Sequence, residues 1–449
     1  MALASFSSYY KAPREIIRMR NDLSALPCWY AEMGGGVLVA SEGDVDAFRS
    51  QCMGRGLVPW GTCMAESQFA DGVMGRCSSL PFKCFPWGWN PALVQLLSVK
   101  FHNEKLRSSN MSVVSSSVEG GDACLSSSVG GLLDATLFSL PSMEQLQRIR
   151  TLSGRQQCVK VLADFAALSG ICGEAVVCSS LDEVLLFIQN HEDVILKAPW
   201  SGSGRGLIRT SLANWTLNQE GWVSRILRTQ GSIMAEPIYN KVEDFAMEFY
   251  MDEMHRLSFV GYSLFETDSH GNYKGNVLLS NERIVERLTR YVSAELLMSI
   301  QQQLLVSLTN LIGADYVGYF GVDMMICQEP NQSEVLEDDS DTSVGNIVGH
   351  NSGYPITYVV HPCVEINLRM NMGVIARLLS DRYLSEHSEG IYVVEHFGAD
   401  GEALSFDKQM RNEHPLTVEN HKLVQGYFTL TPVTETTRYQ CYVIATPAV

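Results

Sequence analysis

Val364-Glu365-Ile366-Asn367-Leu368-Arg369, taken with Asp323 upstream, decides how this chain is read. The run alternates apolar and polar residues and predicts a strand, and a period of two puts Glu365, Asn367 and Arg369 on one face. Three polar heads on one face of a core strand must meet something. A carboxylate and an amide oxygen form a hard-oxygen set suited to Mg²⁺, an ion that usually arrives with substrate phosphates. An adjacent guanidinium suits an anion. Asp323 lies in a second apolar run, Phe320-Gly321-Val322-Asp323-Met324-Met325-Ile326, where an unpaired acid is costly to bury. If the two strands pair, Asp323, Glu365 and Asn367 converge as oxygen ligands. The bland alternative is a structural salt bridge from Asp323 to Arg369, which has no use for Asn367.

A second cluster precedes this one. Val194-Ile195-Leu196-Lys197 is an apolar strand ending on a lysine, and Ser201-Gly202-Ser203-Gly204-Arg205-Gly206 follows. Glycines let successive N–H groups approach and cradle a phosphate. The next run, Leu207-Ile208-Arg209, reads as a strand, so neither a Walker A loop nor a dinucleotide fingerprint fits, since both feed a helix. The competing reading is a Gly/Ser hairpin with a solvated lysine. Ile233 to Glu236 is a strand halted by Pro237, and exposed backbone at Pro237 and Ile238 is placed to read an adenine edge. Glu243, seven residues after Glu236, is a candidate for ribose hydroxyls, against a solvated acidic loop, the favoured reading of every residue in this stretch taken alone. In the turn-rich segment Ser269 to Asn276, Lys274 is a candidate for a substrate or γ-phosphate contact, against an exposed loop.

The bulk properties allow this reading. The chain has 449 residues, 46% hydrophobic and 18% charged, with a net charge of −17. That is ordinary globular composition with room for two or three domains, and the acidic balance argues against a nucleic-acid partner. Twelve cysteines without CxxC pairs or Cys/His metal spacing read as reduced thiols of a cytoplasmic protein and make zinc improbable. No signal peptide is expected at the N-terminus, and no apolar run approaches a membrane span.

Along the chain, Gly36 to Ala40 predicts a strand, Asp44 to Met53 a helix, and Gly56 to Trp60 a second strand. Pro86-Trp87-Gly88-Trp89-Asn90 is a rigid aromatic turn, a packing corner or a cleft wall. Residues 108–130 are a Ser/Gly-rich connection. Helices are expected from Ser142 and over Arg155 to Leu168, one long helix over Val285 to Ile312, and another over Gly373 to Tyr383. Phe245 to Met251 and Leu257 to Phe265 are expected strands. The acidic insert Glu329 to Asp341 holds no Lys or Arg and is expected as a solvated tip or a disordered segment.

In order and spacing, from residue 142 to 380, these pieces resemble the ATP-grasp superfamily of carboxylate–amine ligases. The resemblance implies an α/β (α+β) ATP-grasp fold with a preceding small α/β domain and a β-rich C-terminal extension. The implied domains are 1–141, 142–238 (lid subdomain and leading helices), 239–384 (metal-bearing subdomain) and 385–449. It implies ATP and one or two Mg²⁺ ions, with Mn²⁺ as a substitute. Lys197 resembles the lysine on the α- and β-phosphates, Ser201 to Gly206 the loop over the β- and γ-phosphates, Glu236 the hinge residue near adenine, and Glu243 the ribose acid. Asp323, Glu365 and Asn367 resemble the Mg²⁺ ligands, and Arg369 the arginine that steadies an acyl phosphate. Where the family often has a phosphate-binding lysine, this chain has Arg155, which keeps the charge but not the geometry. The implied reaction joins a small-molecule carboxylate to an amine through an acyl phosphate, with ADP and phosphate released. Two other readings are a non-catalytic nucleotide-binding platform for a partner and a phosphotransferase acting on a small-molecule carboxylate. The acid and amine substrates and the oligomeric state are not encoded legibly.

Overall fold

The computed structural model describes residues 5–65, 84–99, 140–201, 206–267, 273–329 and 357–448. The 108–130 connection, Gly202 to Arg205, and all of the acidic insert except Glu329 lie outside the described residues. Among the described residues, no helix is long and apolar enough to cross a membrane.

Three sheets organise the α/β fold. In the N-terminal unit, β1 (Gly36–Val39) pairs in parallel with β2 (Thr62–Ala65), linked by a helix over Glu42–Gly54. The second strand therefore starts two residues beyond the expected Gly56 to Trp60 run. That run is irregular because Gly56 has φ +79° and Leu57 is buried in a cluster with Trp29 and Tyr383.

A four-stranded antiparallel sheet follows, in the order β3 (Val176–Cys178), β6 (Ile233–Pro237), β4 (Val194–Lys197), β5 (Leu207–Thr210). Two helices that sequence reading missed, Leu181–Asn190 and Leu217–Gln230, share its core, where Leu196 and Ala235 pack with Val184, Ile188 and Val223. Alternation along β4 and β6 then turns Lys197 and Glu236 away from those helices.

The main sheet has nine strands. Its order is β11 (Tyr358–Asn367), β10 (Gly318–Gln328), β7 (Asn240–Met251), β8 (Leu257–Thr267), β9 (Tyr273–Leu278), β12 (Ser388–His396), β15 (Tyr439–Pro447), β14 (Lys422–Thr429), β13 (Thr417–Glu419). The strands of 385–449 thus continue the same sheet as β7 to β11, and a helix over Glu402–Glu413 lies between them. On one face, Phe245, Met247, Phe249, Phe320, Val322 and Met324 bury against Ile284, Leu288, Leu297, Ile300 and Leu304. Those last five belong to two helices, Asn281–Leu288 and Ala294–Ile312, where one long helix was expected. The break is chemical: the Ser293 side chain accepts from the Leu296 N–H at 3.1 Å and caps a new helix. On the other face the helix Met372–Tyr383 covers chiefly β8 and β9.

Candidate active site

Register puts the expected carboxylates together. β10 and β11 are antiparallel with Asp323 opposite Glu365 and Gly321 opposite Asn367, so the three polar side chains share the face away from the helical core. Asn367 Nδ2 donates to Asp323 Oδ2 at 2.9 Å. Among the described residues no ion pair joins Asp323 to Arg369, so the structural salt bridge is not formed. Arg369 is half-buried, and among the described residues its guanidinium donates to the Met370 carbonyl at 3.3 Å.

From the smaller sheet, Lys197 Nζ lies 2.5 Å from Glu236 Oε2, and both residues are buried. The segment between Ser201 and Gly206 is closed by the β4/β5 hairpin, where Ala198 N–H donates to the Gly206 carbonyl at 2.9 Å. Gly206 has φ +76°, and a Cβ there would lie 2.7 Å from the Ser201 Cβ. Arg155 joins the two sheets. It precedes the helix Gln156–Ala163 and is 6% exposed. It donates to the Ala198 carbonyl at 2.8 Å, to Ser201 Oγ, and to Glu365 Oε2 at 2.8 Å.

The electrostatics follow from this packing. Burial, the Glu365 charge and the Glu248 charge together push Asp323 up to about 8, against Arg369 and the Asn367 hydrogen bond. Burial also works against ionised Glu365, but Arg155, then Arg369 and Lys197, outweigh it and hold Glu365 below its ordinary value. Burial opposes the charge on Arg155, and Glu365 more than restores it. Among the described residues, no three His, Cys, Asp or Glu side chains form a metal cage on their own. The donor set is two crowded carboxylates plus an amide. It fits a hard divalent ion that completes its shell with water and phosphate oxygens, because such an ion would offset the burial and the carboxylate repulsion that raise Asp323.

Not every expected residue arrives here. Glu243 lies on the opposite face of β7, opposite Ile326, and its carboxylate accepts from Arg287 Nη2 at 3.0 Å. The acid on the polar face is its neighbour Asp244, which accepts from Thr267 Oγ1 at 2.9 Å and pairs with Lys241. The Ile238 N–H is already given to the Asp193 carbonyl at 2.9 Å, so it is not a free base reader. Pro237 ends β6 opposite Val194. Lys274 is exposed on β9, and no hydrogen bond or ion pair among the described residues ties it to the cluster.

No known family profile and no curated protein matches the chain. Solved structures do resemble it. An N5-carboxyaminoimidazole synthetase from Staphylococcus aureus, complexed with ADP, is 12% identical; the match covers 68% of this chain and 69% of that one, with a TM-score of 0.39. The biotin carboxylase domain of a 2-oxoglutarate carboxylase from Hydrogenobacter thermophilus, with MgADP, ADP and bicarbonate, is 11% identical over 69% and 64%, at 0.41. A biotin carboxylase from Campylobacter jejuni is 11% identical over 69% and 65%, at 0.39. Scores of this size carry no argument about chemistry, which rests on the site itself.

Two features of the site escaped sequence reading. Glu248, on β7 opposite Gly321, is 1% exposed and pushed up to about 7 by burial, which outweighs its hydrogen bonds and Arg369. It accepts from Ser263 Oγ at 2.8 Å and Asn371 Nδ2 at 3.1 Å, and Asn371 Oδ1 accepts from the Val374 N–H at 2.9 Å, capping the next helix. His361 is fully buried beside Tyr239, and among the described residues neither ring nitrogen has a hydrogen-bond partner. Burial and then the Lys197 charge depress it to about 3. The signal for both was available: a titratable residue inside an apolar strand, the same signal that marked Asp323. The Trp87 to Trp89 turn was read from the sequence as a packing corner or a cleft wall. Trp87 takes the Met370 N–H on its carbonyl at 3.0 Å, and a Cβ on Gly88 would touch the Arg369 Cβ at 3.4 Å, so the turn walls this side of the site.

Proposed function

We propose that this chain is an ATP- and Mg²⁺-dependent ligase of the ATP-grasp kind, joining a small-molecule carboxylate to an amine through an acyl phosphate. One observation carries the reading. Two walls of opposite character face each other, Lys197 and Arg155 against Asp323, Glu365 and Asn367, and the Arg155–Glu365 pair closes the space between them. A triphosphate with its divalent ion has the same charge pattern. Mg²⁺ held by Asp323, Glu365 and Asn367 would neutralise phosphate charge and template the transfer. Lys197 supplies a compact positive charge and Arg155 a fork suited to phosphate oxygens. Arg369, which has no carboxylate partner, is left to receive the substrate carboxylate and the acyl phosphate formed from it. The amine then attacks the acyl carbon and phosphate leaves. No side-chain nucleophile is required, so the residues contribute position and charge.

The test is calorimetry of ATP with and without Mg²⁺, on the wild type and on Glu365→Gln/Asn367→Ala. Binding that needs Mg²⁺ and weakens about tenfold or more in the variant, about 1.4 kcal/mol, supports the reading. It leads to a screen of acid and amine pairs for ADP release. Folded protein that binds no ATP sinks it and leaves the partner platform. ADP release that needs the acid but no amine favours the phosphotransferase.

A further inference from the structure

We propose that Cys28 and Cys63 form a thiol–disulfide exchange site that accepts low-molecular-weight disulfides and closes to an internal disulfide. The two sulfur atoms are 2.8 Å apart, within hydrogen-bonding contact and far closer than chance packing of two thiols requires. They lie in the N-terminal unit, away from the nucleotide-type site. Cys28 sits on a 3₁₀ turn over Leu26–Trp29, and Cys63 on β2. The backbone is built to bring them together. The Gly61 N–H donates to the Cys28 carbonyl at 2.9 Å, and a Cβ on Gly61 would lie 2.8 Å from the Cys28 Cα. Only glycine permits that approach.

The two thiols are unequal in the way exchange requires. Cys63 is half-buried and reachable, whereas Cys28 is 1% exposed. The shared hydrogen bond stabilises charge on Cys63; burial opposes it, Arg49 assists, and the net result holds Cys63 below an ordinary thiol. The same bond and burial raise Cys28. The exposed member is therefore the attacking thiolate and the buried one the resolving thiol.

The exchange balances in two steps. The Cys63 thiolate attacks one sulfur of the small disulfide; that S–S bond breaks, one thiolate leaves, and a mixed disulfide remains on Cys63. The leaving thiolate takes up the Cys28 proton, and the Cys28 sulfur attacks the Cys63 sulfur. The mixed disulfide breaks and the second small thiol departs. The second departing thiolate takes from solvent the proton that Cys63 released on ionising, so the net change is two electrons and two protons moved from the two thiols to the small disulfide. Cys52 provides a control in place, since it is fully buried in the same unit.

The test incubates the full chain with glutathione disulfide, quenches with acid, and maps tryptic peptides without reduction. Cleavage after Arg20, Arg49, Arg55 and Arg76 places Cys28, Cys52 and Cys63 on separate peptides. The expected result is a Cys28–Cys63 linkage, lost on treatment with a dithiol, with Cys52 unlinked. Cys28→Ser, checked for folding by circular dichroism, should trap the glutathione adduct on Cys63. Cys63→Ser should leave Cys28 unmodified. A wild type with no Cys28–Cys63 linkage overturns the proposal, as does linkage of either residue to Cys52 instead. The wild-type measurement decides even if a variant fails to fold.

Discussion

Arg155 donates to Glu365 across the boundary between two sheets, 210 residues apart in sequence and 2.8 Å apart in space. The guanidinium is buried, and the carboxylate is 28% exposed. On the proposed function, a metal ion held by Glu365 would compete for the oxygen that Arg155 now occupies, and the freed guanidinium would be available to phosphate. Arg155→Ala leaves Glu365 without its main counter-charge, at a cost of about 2 kcal/mol after allowing for its solvent contact. Chemical denaturation should read that loss. Added Mg²⁺ should recover part of it, whereas Arg155→Ala in the Glu365→Gln background should show no Mg²⁺ recovery.

Glu248 makes stability fall as pH rises. Its folded value of about 7 stands above the ordinary 4.5, so between those values the folded chain holds a proton that the unfolded chain has lost. Folding is undisturbed below pH 4.5, and the penalty grows through pH 7 to about 3 kcal/mol. Denaturation midpoints at pH 5 and 8 should differ accordingly in the wild type. Glu248→Gln should lessen the slope, leaving the part that Asp323, raised to about 8, contributes in the same direction, and an unchanged slope would count against the assignment.

His361 acts in the opposite direction. It stays neutral in the fold down to about pH 3, while the unfolded chain gains a proton from about 6.5 downward. Stability is full above that value and is lost as pH falls, by about 4 kcal/mol at pH 3. His361→Phe removes both the unpartnered nitrogens and this acid sensitivity. It should raise the midpoint at pH 4.5 more than at pH 7.5.

Gly373 and Gly321 form the slot that Glu248 fills, since a Cβ at either would overlap its carboxyl. Gly373→Ala should cost about 2 kcal/mol despite the better helix former. In a Glu248→Ala background the same change should cost less, the remainder coming from the Ser263 hydroxyl that a Cβ there would also meet. A penalty undiminished there would place the strain elsewhere.

The Asp323, Glu365, Asn367 and Lys197 positions were legible because each breaks an apolar strand with a polar head, a signal contained in a handful of neighbouring residues. The place of Glu243 was less legible, because the sequence reads as a strand only from Phe245. β7 runs from Asn240, earlier than its apolar core suggests, and a shift of one residue exchanges faces. The break before Ser293 was hidden because apolar spacing continues through Thr289 to Val292, and only the serine cap marks it. The pairing of Ile391 with Val277 was out of reach, since nothing local in either strand names its distant neighbour.

That last pairing has a consequence for biosynthesis. β9 gains its outer neighbour only from β12, and β12 is in turn held by β15 at the far end of the chain. A ribosome that has released residues up to 367 has exposed every strand from β7 to β11, with the β9 edge still bare. Such an edge is sticky, and its closure waits on contacts of long sequence separation, which form slowly. The nascent chain therefore passes through a stage that favours chaperone capture, and it ends only when the final strand emerges.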